Sequence, residues 1–94
     1  MPLLVHLEAH VDDDFLLGEI WVNIALYVTA GKDPRVAVER ALASSQEEWG
    51  GLDEWLTQFD VDVEVRARVY EVRPDTPLGE AVYEETFYPH ERYG

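Results

Sequence analysis

Residues 3–11 read LLVHLEAHV and, after a short interruption, residues 19–29 read EIWVNIALYVT. Both segments alternate apolar and polar residues, and a period of two is typical of a half-buried β-strand. Asp12-Asp13-Asp14 follows the first segment, and aspartate favours turns over strands. The beginning of the chain therefore predicts two antiparallel strands that share one buried face.

The same alternation assigns side chains to the two faces of this pair. The predicted buried row consists of the odd-numbered residues of 3–11 and the even-numbered residues of 20–28. A helix is the competing interpretation of residues 19–29, but their β-branched content favours a strand. The opposite face is then predicted to carry His6, Glu8, His10, Glu19, Trp21, Asn23, Tyr27 and Thr29.

A helix is predicted to begin at Asp33-Pro34. Aspartate can cap the free amide groups of a first turn, and proline suits the first helical position. Apolar residues then recur at helical spacing as far as Trp49, and Gly50-Gly51 predicts the helix end. Residues 52–59 are interpreted as a further short turn that packs back on the core.

Alternation returns at residues 61–70, and a last strand is predicted at 80–88, where imperfect alternation is compatible with a bulge. The order is strand, strand, helix, strand, strand. It predicts a single domain over residues 1–94 with an α+β fold: ββαββ, a four-stranded antiparallel sheet with one main helix on one face. The other sheet face would be open, and it is the candidate surface for function.

Charge gives the clearest indication of what this chain can bind. It has 94 residues, of which 20 are acidic and 7 are basic, for a formal net charge of −13. A field of this sign repels nucleic acid and anionic membranes and attracts cationic surfaces. We therefore expect neither direct nucleic-acid binding nor membrane binding. The 47% hydrophobic content indicates a folded domain instead of a disordered acidic tail.

Other features of the sequence bear on location and on thiol chemistry. The chain contains no cysteine, which excludes disulfides, thiolate metal sites and a thiol nucleophile. Its first residues lack the basic region of a signal peptide, and no apolar run approaches the roughly 20 residues needed to span a bilayer. These features predict a cytoplasmic protein.

One strand face has the residue types of a metal site, in the pattern His6-x-Glu8-x-His10-x-Asp12. Residues two apart on a strand lie roughly 6.6 Å apart, so a His and Glu pair could share an ion. His6 and His10 would be about 13 Å apart, too far to bind the same ion in a straight strand. We expect no cofactor, and a small metal-dependent enzyme using His6, Glu8 and His10 remains the alternative.

Nucleophilic catalysis has little support in the sequence. The only serines, Ser44 and Ser45, lie in the predicted helix without a surrounding glycine elbow. No glycine-rich phosphate loop is present, and a catalytic carboxylate pair cannot be recognised among twenty acids without geometry. We therefore expect a protein that is not an enzyme and has no catalytic residues.

The expected function is a non-catalytic acidic binding protein whose open face meets a basic, nucleic-acid-binding partner. Acids two apart on a strand repeat at roughly 6.6 Å, close to two base-pair rises along a DNA strand, so such a row could stand in for phosphates. Trp and Tyr among them would provide interface anchors. The predicted binding residues are Glu8, Glu19, Trp21, Tyr27, Asp60, Asp62, Glu64, Tyr70, Glu80 and Glu84.

The small, acidic, single-domain format resembles that of phage-encoded nucleic-acid mimics and inhibitors of host defence, a resemblance of format without a shared motif. Two further interpretations stay open. The acids could maintain solubility, including in the salt-rich cytoplasm of a halophile. The aromatic residues Trp21, Tyr27 and Tyr70 on an open face also predict a homodimer, in which Arg66 and Arg68 would offset repulsion between carboxylates.

Overall fold

A computed structural model describes residues 2–13, 18–51, 54 and 63–89. Its elements, in chain order, are β1 (Leu3–Asp13), β2 (Gly18–Thr29), α1 (Pro34–Trp49), β3 (Val65–Glu71) and β4 (Tyr83–Phe87). The strands form a four-stranded antiparallel sheet in the order β2-β1-β3-β4. One face of the sheet packs against α1, which confirms the predicted α+β fold of ββαββ order.

The core lies between α1 and the sheet face that it covers, here called the core face. The odd-numbered residues of β1 from Leu3 to Ala9 are buried there, as the alternation predicts. Burying a Leu or Val side chain contributes about 1.5–3 kcal/mol, so these rows supply much of the folding free energy. The core cluster comprises Leu3, Val5, Leu7, Ala37, Val38, Ala41, Leu42, Val65, Ala67 and Val69.

Both ends of α1 lie where the sequence predicts them. Asp33 is the N-cap, and its Oδ1 accepts a hydrogen bond from the Arg35 backbone N–H at 3.0 Å. Gly50 adopts the left-handed conformation with φ 86° and donates its N–H to the Ser45 carbonyl. An L residue rarely takes that conformation, so glycine is the suitable cap. The turn predicted at 52–59 lies outside the described residues, except for Glu54.

A β-bulge in β2 changes the face assignment of its second half. Leu7 of β1 pairs with Ala25, whereas the next residue, Glu8, pairs with Asn23, so β2 has an extra residue at this point. Because side chains alternate with period two, one extra residue exchanges the two faces beyond it.

The prediction that placed Leu26 and Val28 in the core and Tyr27 on the open face is therefore wrong. Tyr27 pairs with Val5 and packs against the core cluster. Leu26 and Val28 lie on the sheet face opposite α1, here called the open face, and are 58% and 68% exposed. Residues 24–28 read Ile-Ala-Leu-Tyr-Val, with apolar or aromatic side chains in both rows, so the pattern does not reveal the bulge.

The last two strands are shorter than the sequence predicts. β3 begins at Val65, although Val63 before it is already buried, and residues 60–62 lie outside the described part of the chain. β4 spans Tyr83–Phe87 instead of 80–88, and Glu80 lies in the exposed segment that precedes it. Within the described residues, no helix is long and apolar enough to cross a membrane.

Candidate functional site

The open face is the side of the sheet that α1 leaves uncovered, and the register of the four strands arranges its side chains in rows. Three of these rows run across the sheet from β2 to β3 or β4, and the fourth joins β2 to β1. One end of the face is apolar, the centre is charged and hydrogen-bonded, and the other end is aromatic. The rows are Val28–Leu4–Tyr70, Leu26–His6–Arg68–Glu84, Asn23–Glu8–Arg66–Thr86 and Trp21–His10.

Glu8 and Arg66 form the centre of the open face. The two residues pair directly across β1 and β3, and Arg66 donates to Glu8 Oε1 from Nη2 at 3.0 Å and from Nε at 3.2 Å. Glu8 is only 7% exposed. A carboxylate this buried is tolerated when it is paired and hydrogen-bonded, and Arg66 meets both requirements.

Arg66 also connects this pair to Trp21. Its guanidinium carbon lies 4.1 Å from the centroid of the Trp21 ring, within the range of a cation–π interaction. The His10 ring stacks beside the same indole, with centroids 4.7 Å apart and an angle of 23° between the planes. Trp21 is therefore held in one orientation by groups from β1 and β3.

A second set of polar contacts surrounds the centre. His6 Nε2 lies 2.8 Å from Asn23 Oδ1, and His6 Nδ1 lies 3.7 Å from Glu8 Oε1. Arg68 Nε lies 3.2 Å from Glu84 Oε2 and 3.9 Å from Glu8 Oε1. These contacts tie together side chains from all four strands of the sheet.

The guanidinium of Arg68 is held firmly in its charged form. A hydrogen bond with the Tyr70 side chain raises the pKa of Arg68 above its ordinary value, and the charges of Glu84 and Glu8 raise it further, whereas burial acts in the opposite direction. An arginine is charged at all ordinary pH values, so this environment strengthens the ion pairs of Arg68 and does not make them depend on pH.

The paired carboxylates do not form the unbroken acidic row that the phosphate-mimic hypothesis requires. Arg66 neutralises Glu8, and Arg68 neutralises Glu84. Away from this face, Arg73 neutralises Glu71 at 2.8 Å. Because these three pairs cancel, the whole net charge of −13 belongs to the rest of the molecule. The open face has a neutral centre within an acidic protein.

The structure brings together four of the predicted binding residues on the open face: Glu8, Trp21, Tyr70 and Glu84. Glu64 immediately precedes β3, and its carbonyl accepts the His10 N–H at 2.9 Å. The others are placed differently. Tyr27 lies on the core face, Glu80 precedes β4, the backbone of Glu19 pairs with Asp12, and Asp60 and Asp62 lie outside the described residues.

The residues of the possible metal site are each engaged in another contact. Glu8 binds Arg66, His6 contacts Asn23, and His10 stacks on Trp21. Among the described residues, no group of three His, Cys, Asp or Glu side chains is arranged to hold a metal ion. The alternative of a metal-dependent enzyme gains no support from this arrangement.

A shallow groove on the opposite side of the domain lies between α1 and β4, with a volume of about 410 Å³. Arg35 lies above the Tyr83 ring there, with its guanidinium carbon 6.0 Å from the centroid. Burial raises the pKa of Glu85, and Arg35 and Tyr83 partly offset this effect. The groove is lined by Arg35, Val36, Glu39, Arg40, Ala43, Tyr83 and Glu85.

Sequence reasoning identified Trp21 and Glu8 but missed the roles of His10 and Arg66. Two arginines at alternate positions of one strand, Arg66 and Arg68, in a chain with only seven basic residues, were the available signal. Predicting that these arginines contact Glu8 requires the register of β1 against β3, which the sequence alone does not provide.

Comparison of this chain with protein-family models, with curated proteins and with solved structures found no match.

Proposed function

We propose that this protein is a non-catalytic binding protein that docks a basic protein partner on its open face. The observation that carries the proposal is the fixed Trp21 side chain, which stacks with His10 and Arg66 on a sheet face that α1 does not cover. Trp and Arg are the residue types that most often dominate binding energy at protein interfaces.

The arrangement of this centre favours binding because its side chains are already ordered. Ordering a flexible side chain on association costs about 0.5–1.5 kcal/mol. Here Glu8 fixes Arg66 through two hydrogen bonds, and Arg66 in turn contacts Trp21, so much of this cost is met during folding. A neutral, pre-ordered centre is also cheaper to desolvate than a row of unpaired carboxylates.

The charge around this centre indicates the class of partner. With a net charge of −13, the protein attracts cationic surfaces and speeds their approach. Nucleic-acid-binding proteins present such surfaces, so we propose that the partner belongs to this class and that binding blocks it. The proposed setting is the cytoplasm. In this proposal the acids steer the partner, and Trp21 with the adjoining Glu8–Arg66 pair supplies the specific contact.

Capture from a cell extract tests this function. The wild-type protein and a Trp21→Ala variant are immobilised separately, and bound proteins are eluted with rising salt. The matched control is Leu78→Ala, which removes an exposed apolar side chain in the segment before β4. We expect wild type and control to retain the same basic protein, to release it as salt rises, and to lose it to competing duplex DNA.

The Trp21→Ala variant should retain much less of that protein while keeping a native circular dichroism spectrum. Equal retention by Trp21→Ala and wild type would reject the open face as the docking surface. If duplex DNA does not reduce retention, the surface of the partner that is blocked is not its nucleic-acid-binding site. Docking of a protein partner on the open face would still be supported.

A further inference from the structure

The two edge strands of the sheet differ in how they are protected from pairing with another strand. β4 has only five residues, carries Glu84 and Glu85, and is followed closely by Pro89. Short length, charge and proline are common means of blocking an edge. β2 has 12 residues and carries no charged residue from Ile20 to Thr29, although 29% of the whole chain is charged.

The second half of β2 also exposes apolar side chains. Leu26 is 58% exposed and Val28 is 68% exposed, the two highest values among the large hydrophobic residues of the described chain. The bulge places both side chains on the open face. Within the described residues, no strand pairs with the outer side of β2. Backbone N–H and C=O groups of alternate β2 residues point toward that side, where no described strand pairs with them.

We propose that β2 pairs antiparallel with β2 of a second copy of this chain, over residues 25–29, about a two-fold axis at Tyr27. This is the register that brings the exposed side chains together. Leu26 of each copy lies opposite Val28 of the other on the open face, and the two Tyr27 residues face each other on the core side. Direct cross-strand neighbours have Cβ atoms about 4.5–5.5 Å apart, close enough for apolar contact.

The charge pattern favours a second copy over the basic partner at this edge. Two molecules of charge −13 repel each other, so they can approach closely only where the surface lacks charge. Residues 20–29 meet that condition. A basic partner would gain from acids along the edge, and this segment has none. The five residue pairs proposed equal the number that join β3 and β4.

The proposed dimer does not depend on the proposed docking of a basic partner, but it would bring two docking surfaces together. A two-fold axis normal to the sheet would place both open faces on the same side of an eight-stranded sheet. Trp21 lies before the bulge, outside the pairing segment, and would remain accessible in both copies. Two linked sites can bind a multivalent partner more tightly than either one alone.

Analytical ultracentrifugation of the full chain tests the dimer. We expect a concentration-dependent dimer that tightens as salt screens the repulsion between copies. Leu26→Glu should weaken the dimer by about tenfold or more, since it places a carboxylate against Val28 of the second copy. The matched control Leu78→Glu changes a residue that is 49% exposed elsewhere and should leave the dimer unchanged. A monomer at every concentration and salt, or equal behaviour of the two variants, would overturn the proposal.

Disulfide trapping tests the register, and the absence of native cysteine makes the result simple to interpret. Leu26→Cys and Val28→Cys are prepared as separate proteins, both at exposed positions that should not disturb folding. Oxidation of the mixture should yield a cross-linked dimer containing one copy of each variant, and oxidation of either variant alone should yield little. Efficient cross-linking of Leu26→Cys with itself, or no cross-linking of the mixture, would contradict the proposed pairing.

Discussion

Thr29 ends β2 with a side-chain hydroxyl that is buried and has no hydrogen-bond partner among the described residues. A buried hydroxyl without a partner costs roughly 1–3 kcal/mol, because it loses its contact with water and gains nothing in return. Valine has nearly the same shape and removes only the polar atom. The buried hydroxyl therefore lowers the stability of the fold at the end of β2.

We expect Thr29→Val to raise the free energy of unfolding by about 1 kcal/mol, measured by chemical denaturation. The control is Thr86→Val, which makes the same exchange at an exposed position of β4 and should change stability by less than about 0.5 kcal/mol. If Thr29→Val destabilises the protein, the hydroxyl has a partner that this account lacks.

Glu85 is the described carboxyl whose environment links stability to pH. Burial raises its pKa, and Arg35 and Tyr83 compensate only in part. A raised pKa means that the folded state holds the proton more tightly than the unfolded state does. The stability contributed by this group is therefore present at low pH and is lost as pH rises through the raised value.

Glu85→Gln keeps the shape of the side chain and removes the charge. We expect its melting temperature to exceed that of the wild type at neutral pH, with the difference disappearing at low pH, where the wild-type carboxyl is protonated. Because the variant also lowers the net negative charge, Glu80→Gln in the exposed segment before β4 serves as the control. A melting difference that is equal for both variants would assign the effect to net charge and not to Glu85.

At the scale of elements, the Glu8–Arg66 pair joins β1 to β3 on the open face. Removing one partner of a buried pair leaves an uncompensated charge and costs about 3–5 kcal/mol, whereas an exposed pair contributes about 0–1 kcal/mol. Arg66→Met keeps most of the side-chain volume and removes the charge, together with its hydrogen bonds to Glu8 and its cation–π contact with Trp21.

Chemical denaturation should show that Arg66→Met destabilises the protein by about 3 kcal/mol. Adding Glu8→Met should restore much of this loss, because no buried charge then remains. The control Arg73→Met breaks the exposed pair with Glu71 and should cost less than about 1 kcal/mol. Similar small losses for Arg66→Met and Arg73→Met would show that Glu8 is adequately solvated without its partner.

The sequence predicts which segments form strands and which form the helix wherever residues close in the chain determine the structure. The alternation of β1 placed Leu3, Val5 and Leu7 in the core, and Asp33-Pro34 and Gly50 marked the ends of α1. These features depend on residues close in the chain. The predicted fold class followed from the order of such elements.

The open face could be predicted only in part, because its chemistry depends on register between distant strands. The bulge opposite Leu7 and Glu8 exchanged the faces of Tyr27 and Leu26, and alternation alone cannot reveal it because residues 24–28 are apolar or aromatic in both rows. Likewise, the pairing of Glu8 with Arg66 joins residues 58 positions apart. Twenty acids offered many possible partners for each arginine, and only the three-dimensional register selects one.

In the complete protein, the net charge and the open-face contacts have separate roles in the proposed binding. The net charge of −13 acts at a distance and is screened beyond about 8–10 Å at ordinary salt, so it governs approach. Trp21 and the adjoining Glu8–Arg66 pair act at contact, where the carboxylates of Glu8 and Glu84 are already paired. The proposed partner binds at these residues, on the open face.

The most direct test is an NMR titration of the isotope-labelled protein with the basic protein captured from the extract. We predict that the largest shifts occur at open-face residues, led by the indole N–H of Trp21 and the amides of His6 and Arg66, with small changes along the outer side of α1. Shifts concentrated on exposed acids of that helix, such as Glu47 and Glu48, with Trp21 unchanged, would contradict the claim.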